Sequence, residues 1–232
     1  MTLDDFRTYI RAYVPGAKTT VVTPEFLDLL INFGVKEINL FAKAYKDDAK
    51  FDVEADKQKY TILDELPNYA LIGDSGIWWN AGSASSPDWR QLDALDYNAL
   101  DKQFPRWRDD TGDDPRRYVL TKESLIIHPY PNTGLSDGFW AYFTKQPTDM
   151  TSGDHFPFTG STTEIKSLSV LDDAIIDYAR WKLAWPLAKD QRGVLSEVDF
   201  RKTRDEKVIL LNRRPDVMHS KQMRMRGPNI GR

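Results

Sequence analysis

The apolar pattern of this chain changes period twice, and that double change restricts the fold more than any single motif does. From Leu3 to Tyr45 apolar residues recur at helical spacing. Between Ala49 and about Pro147 they fall in short alternating runs, and from Leu168 to Leu211 the helical spacing returns. A doubly wound parallel sheet needs strand and helix to alternate, so strands confined to one block between helices point instead to an α+β fold. The predicted organisation is a helical bundle built from both ends of the chain, with an inserted antiparallel β domain and an extended C-terminal arm. Residues 1–47 supply the N-terminal helices, 48–150 the β-rich domain, 151–167 a polar loop, 168–213 the C-terminal helices and 214–232 the arm.

Local signals set the first elements. Thr2 caps a helix with Asp5 at its third position and Leu3, Phe6, Tyr9, Ile10 and Tyr13 along its apolar stripe; Pro15-Gly16 stops it. Thr23-Pro24-Glu25 opens a second helix, whose stripe is Leu27, Leu30, Ile31, Ile38, Phe41 and Tyr45. Gly34 lies on that stripe. Glycine costs a helix roughly 1 kcal/mol against alanine, so its place there predicts a close helix approach.

In the β block, Phe51–Val53 and Tyr60–Leu63 predict a hairpin around Ala55-Asp56-Lys57. Tyr69–Ile72 and Ile77–Trp79 predict another around Gly73-Asp74-Ser75-Gly76, and Arg117–Leu120 with Ser124–His128 a third. A short helix is expected between Trp89 and Phe104, and a strand at Phe139–Phe143. Beyond the polar loop, Leu168–Leu187 reads as a helix facing inward through Leu171, Ile175, Tyr178, Ala179 and Trp185, bent or ended by Pro186. Val194–Leu211 reads as another, with a weaker, partly charged face of Val194, Val198, the Arg201 stem, Asp205 and Val208–Leu211.

Composition removes several chemistries. With no cysteine, the chain has no disulfide, thiolate nucleophile or cysteine-ligated metal. The three histidines, His128, His155 and His219, are scattered, which leaves no basis for a histidine metal cluster. No charged-then-apolar leader or membrane-length apolar run is present, so a protein that is cytoplasmic when made, with no membrane association, is expected. A net charge of −3 does not fit a general nucleic-acid binder. Against that balance the tail stands out, with Lys221, Arg224, Arg226 and Arg232 opposed by Asp216 alone. Met spacers and Gly/Pro breaks give it no core of its own, and it is suited to ordering along an acidic or mixed surface of a partner.

Three possible chemistries are weak. Gly73-Asp74-Ser75 with Asp216-x-x-His219 has the order of a serine hydrolase, with Ser75 as nucleophile, His219 as base and Asp216 as orienter. In such enzymes the serine block sits near the first strand of an α/β fold, and no oxyanion-hole block is present here; a tight turn explains Gly-Asp-Ser-Gly as well. Asp109-Asp110-Thr111-Gly112-Asp113-Asp114 lacks the alternating ligands and final Glu of a calcium loop. Trp78, Trp79, Trp89, Trp107, Trp140 and Phe143 suggest a carbohydrate or stacking platform, but most of them read as β core or subunit contacts. Phosphate-cradling glycine loops are absent, and no particular carboxylate pair is singled out for glycoside chemistry. No cofactor and no metal are expected.

The pattern as a whole resembles the head-to-tail adaptor proteins of tailed bacteriophages, which form a connector ring beneath the portal. The resemblance rests on the paired N-terminal helices, Trp89-Arg90-Gln91-Leu92, Phe104-Pro105-Arg106-Trp107 and Asp114-Pro115-Arg116-Arg117-Tyr118. It continues through Leu125-Ile126-Ile127-His128-Pro129-Tyr130-Pro131, the strand Phe139–Phe143 closing at Gln146-Pro147, and a late helix at Leu171-Asp172-Asp173 with Tyr178-Ala179. It implies a structural virion protein with no reaction to perform, located in the neck between head and tail. Its partners would be the portal protein, a tail or nozzle protein, other copies of itself in a ring of twelve, and genomic DNA passing through the channel without sequence-specific binding. It also implies that the C-terminal arm reaches the portal, with Arg213, Arg214, Lys221, Met223, Arg224, Met225, Arg226 and Arg232 as the contact residues. The alternative is a tail-associated hydrolase working through a serine or through carboxylates.

Overall fold

The computed structural model describes residues 1–14, 22–66, 68–188 and 192–213. In chain order the helices and strands are α1 (Leu3–Tyr13), α2 (Pro24–Ala42), β1 (Lys46–Val53), β2 (Lys59–Thr61), α3 (Ile62–Glu65), β3 (Tyr69–Asn80), β4 (Trp89–Gln91) and β5 (Asp93–Leu95). There follow α4 (Tyr97–Gln103), β6 (Arg117–Leu120), β7 (Ser124–His128), β8 (Leu135–Lys145), a 3-10 turn at Lys166–Leu171, α5 (Asp172–Ala188) and α6 (Arg192–Arg213). The fold is α+β. Its contacts divide into two units, one of Tyr45–Gln146 and the other of Met1–Ala44 with the described residues from Pro147 onward.

In the helical unit, α1 starts at a reciprocal cap: the Thr2 hydroxyl accepts from the Asp5 N–H at 3.3 Å and the Asp5 carboxylate accepts from the Thr2 N–H at 2.9 Å. Two further N–H groups of the first turn, from Leu3 and Asp4, donate to the carbonyls of His155 and Gly153 at 2.9 and 3.0 Å. Donors that helix geometry leaves without partners thus fasten a later segment onto α1. The Arg7 guanidinium then ties α1 to α2 through both carboxylate oxygens of Asp28, each at 2.6 Å.

α2 opens as predicted, with Pro24 in its first turn and Thr23 accepting from Phe26, and it ends at Lys43 in the left-handed region, before Tyr45. Leu27, Leu30, Ile31, Val35 and Ile38 face inward. Phe41 does not: the inner face continues through Ala42, and Phe41 lies half exposed beneath the Arg204 guanidinium, 3.5 Å from the ring centroid. α2 packs on α5, α5 on α6, and α1 on both α2 and α5.

The segment between β8 and the 3-10 turn is more than a polar connection. The Asn32 side chain donates to the Met150 carbonyl at 3.1 Å and accepts from its N–H at 2.9 Å, while Lys36 pairs with Asp149 at 2.7 Å. Met150 and Phe158 are buried. α5 continues through Pro186 to Ala188. The face expected for α6 is corrected in part: Leu211 is buried as expected, but Val198, Arg201, Asp205, Ile209 and Leu210 are exposed, and Phe200, outside that face, is buried. The aromatic area at Phe200 decides the rotation, because its ring stacks on Trp181 of α5 with centroids 5.5 Å apart and planes 10° apart.

The β unit holds two four-stranded sheets, ordered β1-β8-β3-β4 and β2-β7-β6-β5. The β6–β7 hairpin forms as expected, with Leu120 opposite Leu125. The other two hairpins do not. Phe51 pairs with Phe139 of β8 and Tyr60 with Leu125 of β7, so the chain crosses from one sheet to the other between them. Phe51, Tyr60 and Phe139 meet in that core with ring centroids 5.2–5.8 Å apart. Burying those rings between two sheets outweighs local turn closure. Likewise β3 runs unbroken through Gly73–Gly76 and absorbs the extra residues as an irregularity, since Ile72 opposes Phe143 and Ile77 opposes Ala141. Nor is the β unit wholly antiparallel: β5 lies parallel to β6, pairing Ala94 with Tyr118. α4 makes room for this by carrying the chain away after β5, and Leu100 and Trp107 cover Val119 and Ile126 on the second face of that sheet.

Candidate functional site

Of the arm residues singled out in the sequence, Arg213 is the last residue of α6, and its side chain is outside the described residues. Arg214, Lys221, Met223, Arg224, Met225, Arg226 and Arg232 also lie outside them, as do Asp216 and His219. The structure does define the root from which that segment leaves. α6 is fixed along its length to α5: Phe200 stacks on Trp181, the Thr203 hydroxyl donates to Asp177 at 2.8 Å, and Lys207 pairs with Asp173. Phe200, Arg204, Lys207 and Leu211 follow one another at three- and four-residue steps, so a single face carries these contacts. Arg204 reaches across from that face to Phe41 of α2.

Sequence reasoning missed a second feature of this unit. α2 presents Phe26, Leu29, Phe33 and Leu40 to solvent on the side away from its buried stripe. The signal was there, in a helix apolar on both faces, a composition that normally belongs to a helix covered on all sides.

In the β unit, an aromatic row crosses the outer face of the first sheet. Trp89 and Trp140 meet edge to face at 5.3 Å, and Trp140 and Tyr142 lie 4.7 Å apart. Lys50 covers the two tryptophans, its ammonium 5.4 and 5.6 Å from their centroids, and the Trp140 ring N–H donates to Asp48 at 3.0 Å. These rings are half-buried, whereas Trp79 and Trp107 belong to the interior.

Asp110, from the acidic loop, is the partner of His128: Nε2 lies 2.9 Å from Oδ2, while buried Nδ1 has no hydrogen-bond partner. Burial lowers the imidazole pKa below its usual value, against the opposing pull of the Asp110 carboxylate. The hollow next to this pair is lined by Phe104, Pro105, Arg106 and Trp107.

Among the described residues, two carboxyls are raised by burial, Asp172 in the helical unit, to about 6, and Glu65 in the β unit. The Ser75 side chain is outside the described residues. Among those described, no three His, Asp or Glu side chains are grouped to hold a metal ion, and no helix is long and apolar enough to cross a membrane.

Residues 1–226 match the family described as SU10 adaptor protein. No curated protein matches the chain. With nearly its whole length matched, the chain belongs to the SU10 adaptor protein family. That agrees with the resemblance to phage head-to-tail adaptors: this is a structural adaptor of a bacteriophage, a component of the virion that associates with portal and tail proteins.

Proposed function

We propose that copies of this chain form a ring, twelve in number, under the portal, extending the DNA channel and presenting a docking surface to the tail or nozzle protein. The helices on either side of the β unit act as one bundle, and residues 214–232 are the arm by which each copy holds the portal. Family membership carries this reading, and the match runs through Arg226, taking in Lys221, Met223, Arg224 and Met225. A segment without an apolar period of its own gains order from its partner, so one arm binds weakly. Many arms on one ring raise the effective concentration until release requires all of them to let go together. Arg224 and Arg226 pair with carboxylates, Met223 and Met225 fill shallow apolar pockets, and Arg213, Arg214 and Arg232 add charge at either end.

The division of charge supports the same picture. Its basic residues give the tail a net positive charge, which leaves the body more acidic than the net −3 of the whole. An acidic channel wall repels DNA and lets it slide during ejection.

Removing residues 215–232 tests the arm directly. The expected result is an intact folded body whose portal binding falls by at least tenfold; unchanged binding contradicts the assignment.

A further inference from the structure

On the solvent side of α2, Phe26, Leu29, Phe33 and Leu40 are each 43–49% exposed. Their intervals of three, four and seven residues are those of a coiled-coil seam, with Lys36 at the vacant core position of the second heptad. Lys36 is drawn aside into its ion pair with Asp149. The seam runs about 21 Å along the helix.

We propose that this seam is where one copy of the chain packs on the next, receiving the outer side of α6 from its neighbour. The proposal rests on the ring reading above. Two observations favour a second copy as the occupant. Heptad spacing asks for a helix, since knobs at such positions enter holes formed by four residues of a facing helix. The same unit carries a second, unlike set of exposed apolar residues on a helix, Val198, Ile209 and Leu210 of α6, and a head-to-tail contact needs two different faces on one body.

The area fixes how strong the contact is. The four side chains expose roughly 350 Å² of apolar surface, within the range of the largest patch on a typical monomer. That is less than the ~800 Å² per partner of a stable pair. One such contact is weak, and it becomes persistent in a closed ring where each copy makes it twice.

The test uses Phe33→Asp, with Leu29→Asp as a second variant. Leu63→Asp, at a 67% exposed leucine of the other unit, is the control. All three should melt like the wild type. Copies bound per portal and the steepness of binding are read by sedimentation. The wild type and Leu63→Asp are expected to fill the ring cooperatively, whereas the two seam variants bind with at least tenfold weaker apparent affinity and without cooperativity. Seam variants that fill the ring as steeply as the wild type overturn the proposal.

A second readout needs no portal. Because the chain has no cysteine, Phe33→Cys and Ile209→Cys can be mixed and treated with a short bis-maleimide. Covalent dimer from the mixture, and none from either variant alone, is expected. Absence of dimer from the mixture, or dimer from one variant alone, overturns the head-to-tail seam. A wild type that never joins the portal contradicts the ring reading, and the seam then stands or falls on the cross-link.

Discussion

Gly34 of α2 and Tyr178 of α5 meet so closely that a Cβ added at Gly34 would sit 2.9 Å from Tyr178 Cδ1 and 3.4 Å from its Cβ. The tyrosine has no free direction, because its ring also packs edge-on against Trp181 and Phe200 at 5.7 and 5.3 Å. Gly34→Ala therefore sets about 1 kcal/mol of helix propensity against about 1–3 kcal/mol of overpacking. A net loss of roughly 1 kcal/mol in urea unfolding is expected. In a Tyr178→Ala background the same substitution should turn stabilising, and failure of the sign to reverse would show that the contact is not the cause.

Asn32 satisfies both backbone groups of Met150, a buried residue in the segment that follows the β unit. Asn32→Ala leaves a buried donor and acceptor unpaired, at a cost of about 1–3 kcal/mol. Limited proteolysis should then cut near Met150 well before the helices. A variant as resistant as the wild type means that Lys36–Asp149 and the α1 cap suffice to hold the segment.

How far the fold was legible depended on the range of the interaction. Thr2, Thr23 and Gly34 act within a turn or on one helix face, and each does what its neighbours in sequence imply. The β6–β7 hairpin is equally local. The pairing of Phe51 with Phe139 joins residues far apart in the chain, and nothing near Ala55-Asp56-Lys57 reveals that the two flanking runs enter different sheets. The parallel contact of β5 with β6 involves three-residue strands, too short to show a period. For the candidate site, the outer seam of α2 stood in plain spacing but was masked by the stronger inner stripe. Phe41 was assigned to that stripe because the position of Arg204 is set by tertiary packing. The basic arm is legible as composition alone.

His128 gives the β unit an acid sensitivity. Burial lowers its folded pKa below the usual value near 6.5, so as pH falls through that value the unfolded chain takes up a proton that the folded protein refuses. Stability is lost as pH drops, because Nδ1–H of an imidazolium would have no acceptor. Relative to the wild type, His128→Gln should become progressively less destabilising between about pH 7.5 and pH 5 in thermal melts. A constant difference would remove His128 as the source.

Asp172 works in the opposite sense. Burial raises its carboxyl to about 6, against the pull of the Met1 amino group 2.7 Å away. Between about pH 4 and 6 the folded protein keeps a proton that the unfolded chain has released, so this group's contribution falls as pH rises, by about 3 kcal/mol across the window. Asp172→Asn removes that slope. The stability difference, variant minus wild type, should grow more positive from about pH 4 to 6.5 in denaturant titrations. A difference that grows more negative contradicts the assigned shift.

The central claim is that this adaptor joins a portal in many copies, and sedimentation velocity of the chain alone and mixed with its candidate portal measures that most directly. The account predicts a light species alone and a portal complex heavier by a fixed number of copies, twelve for a full ring. A chain that sediments independently of the portal across a range of salt concentrations contradicts it.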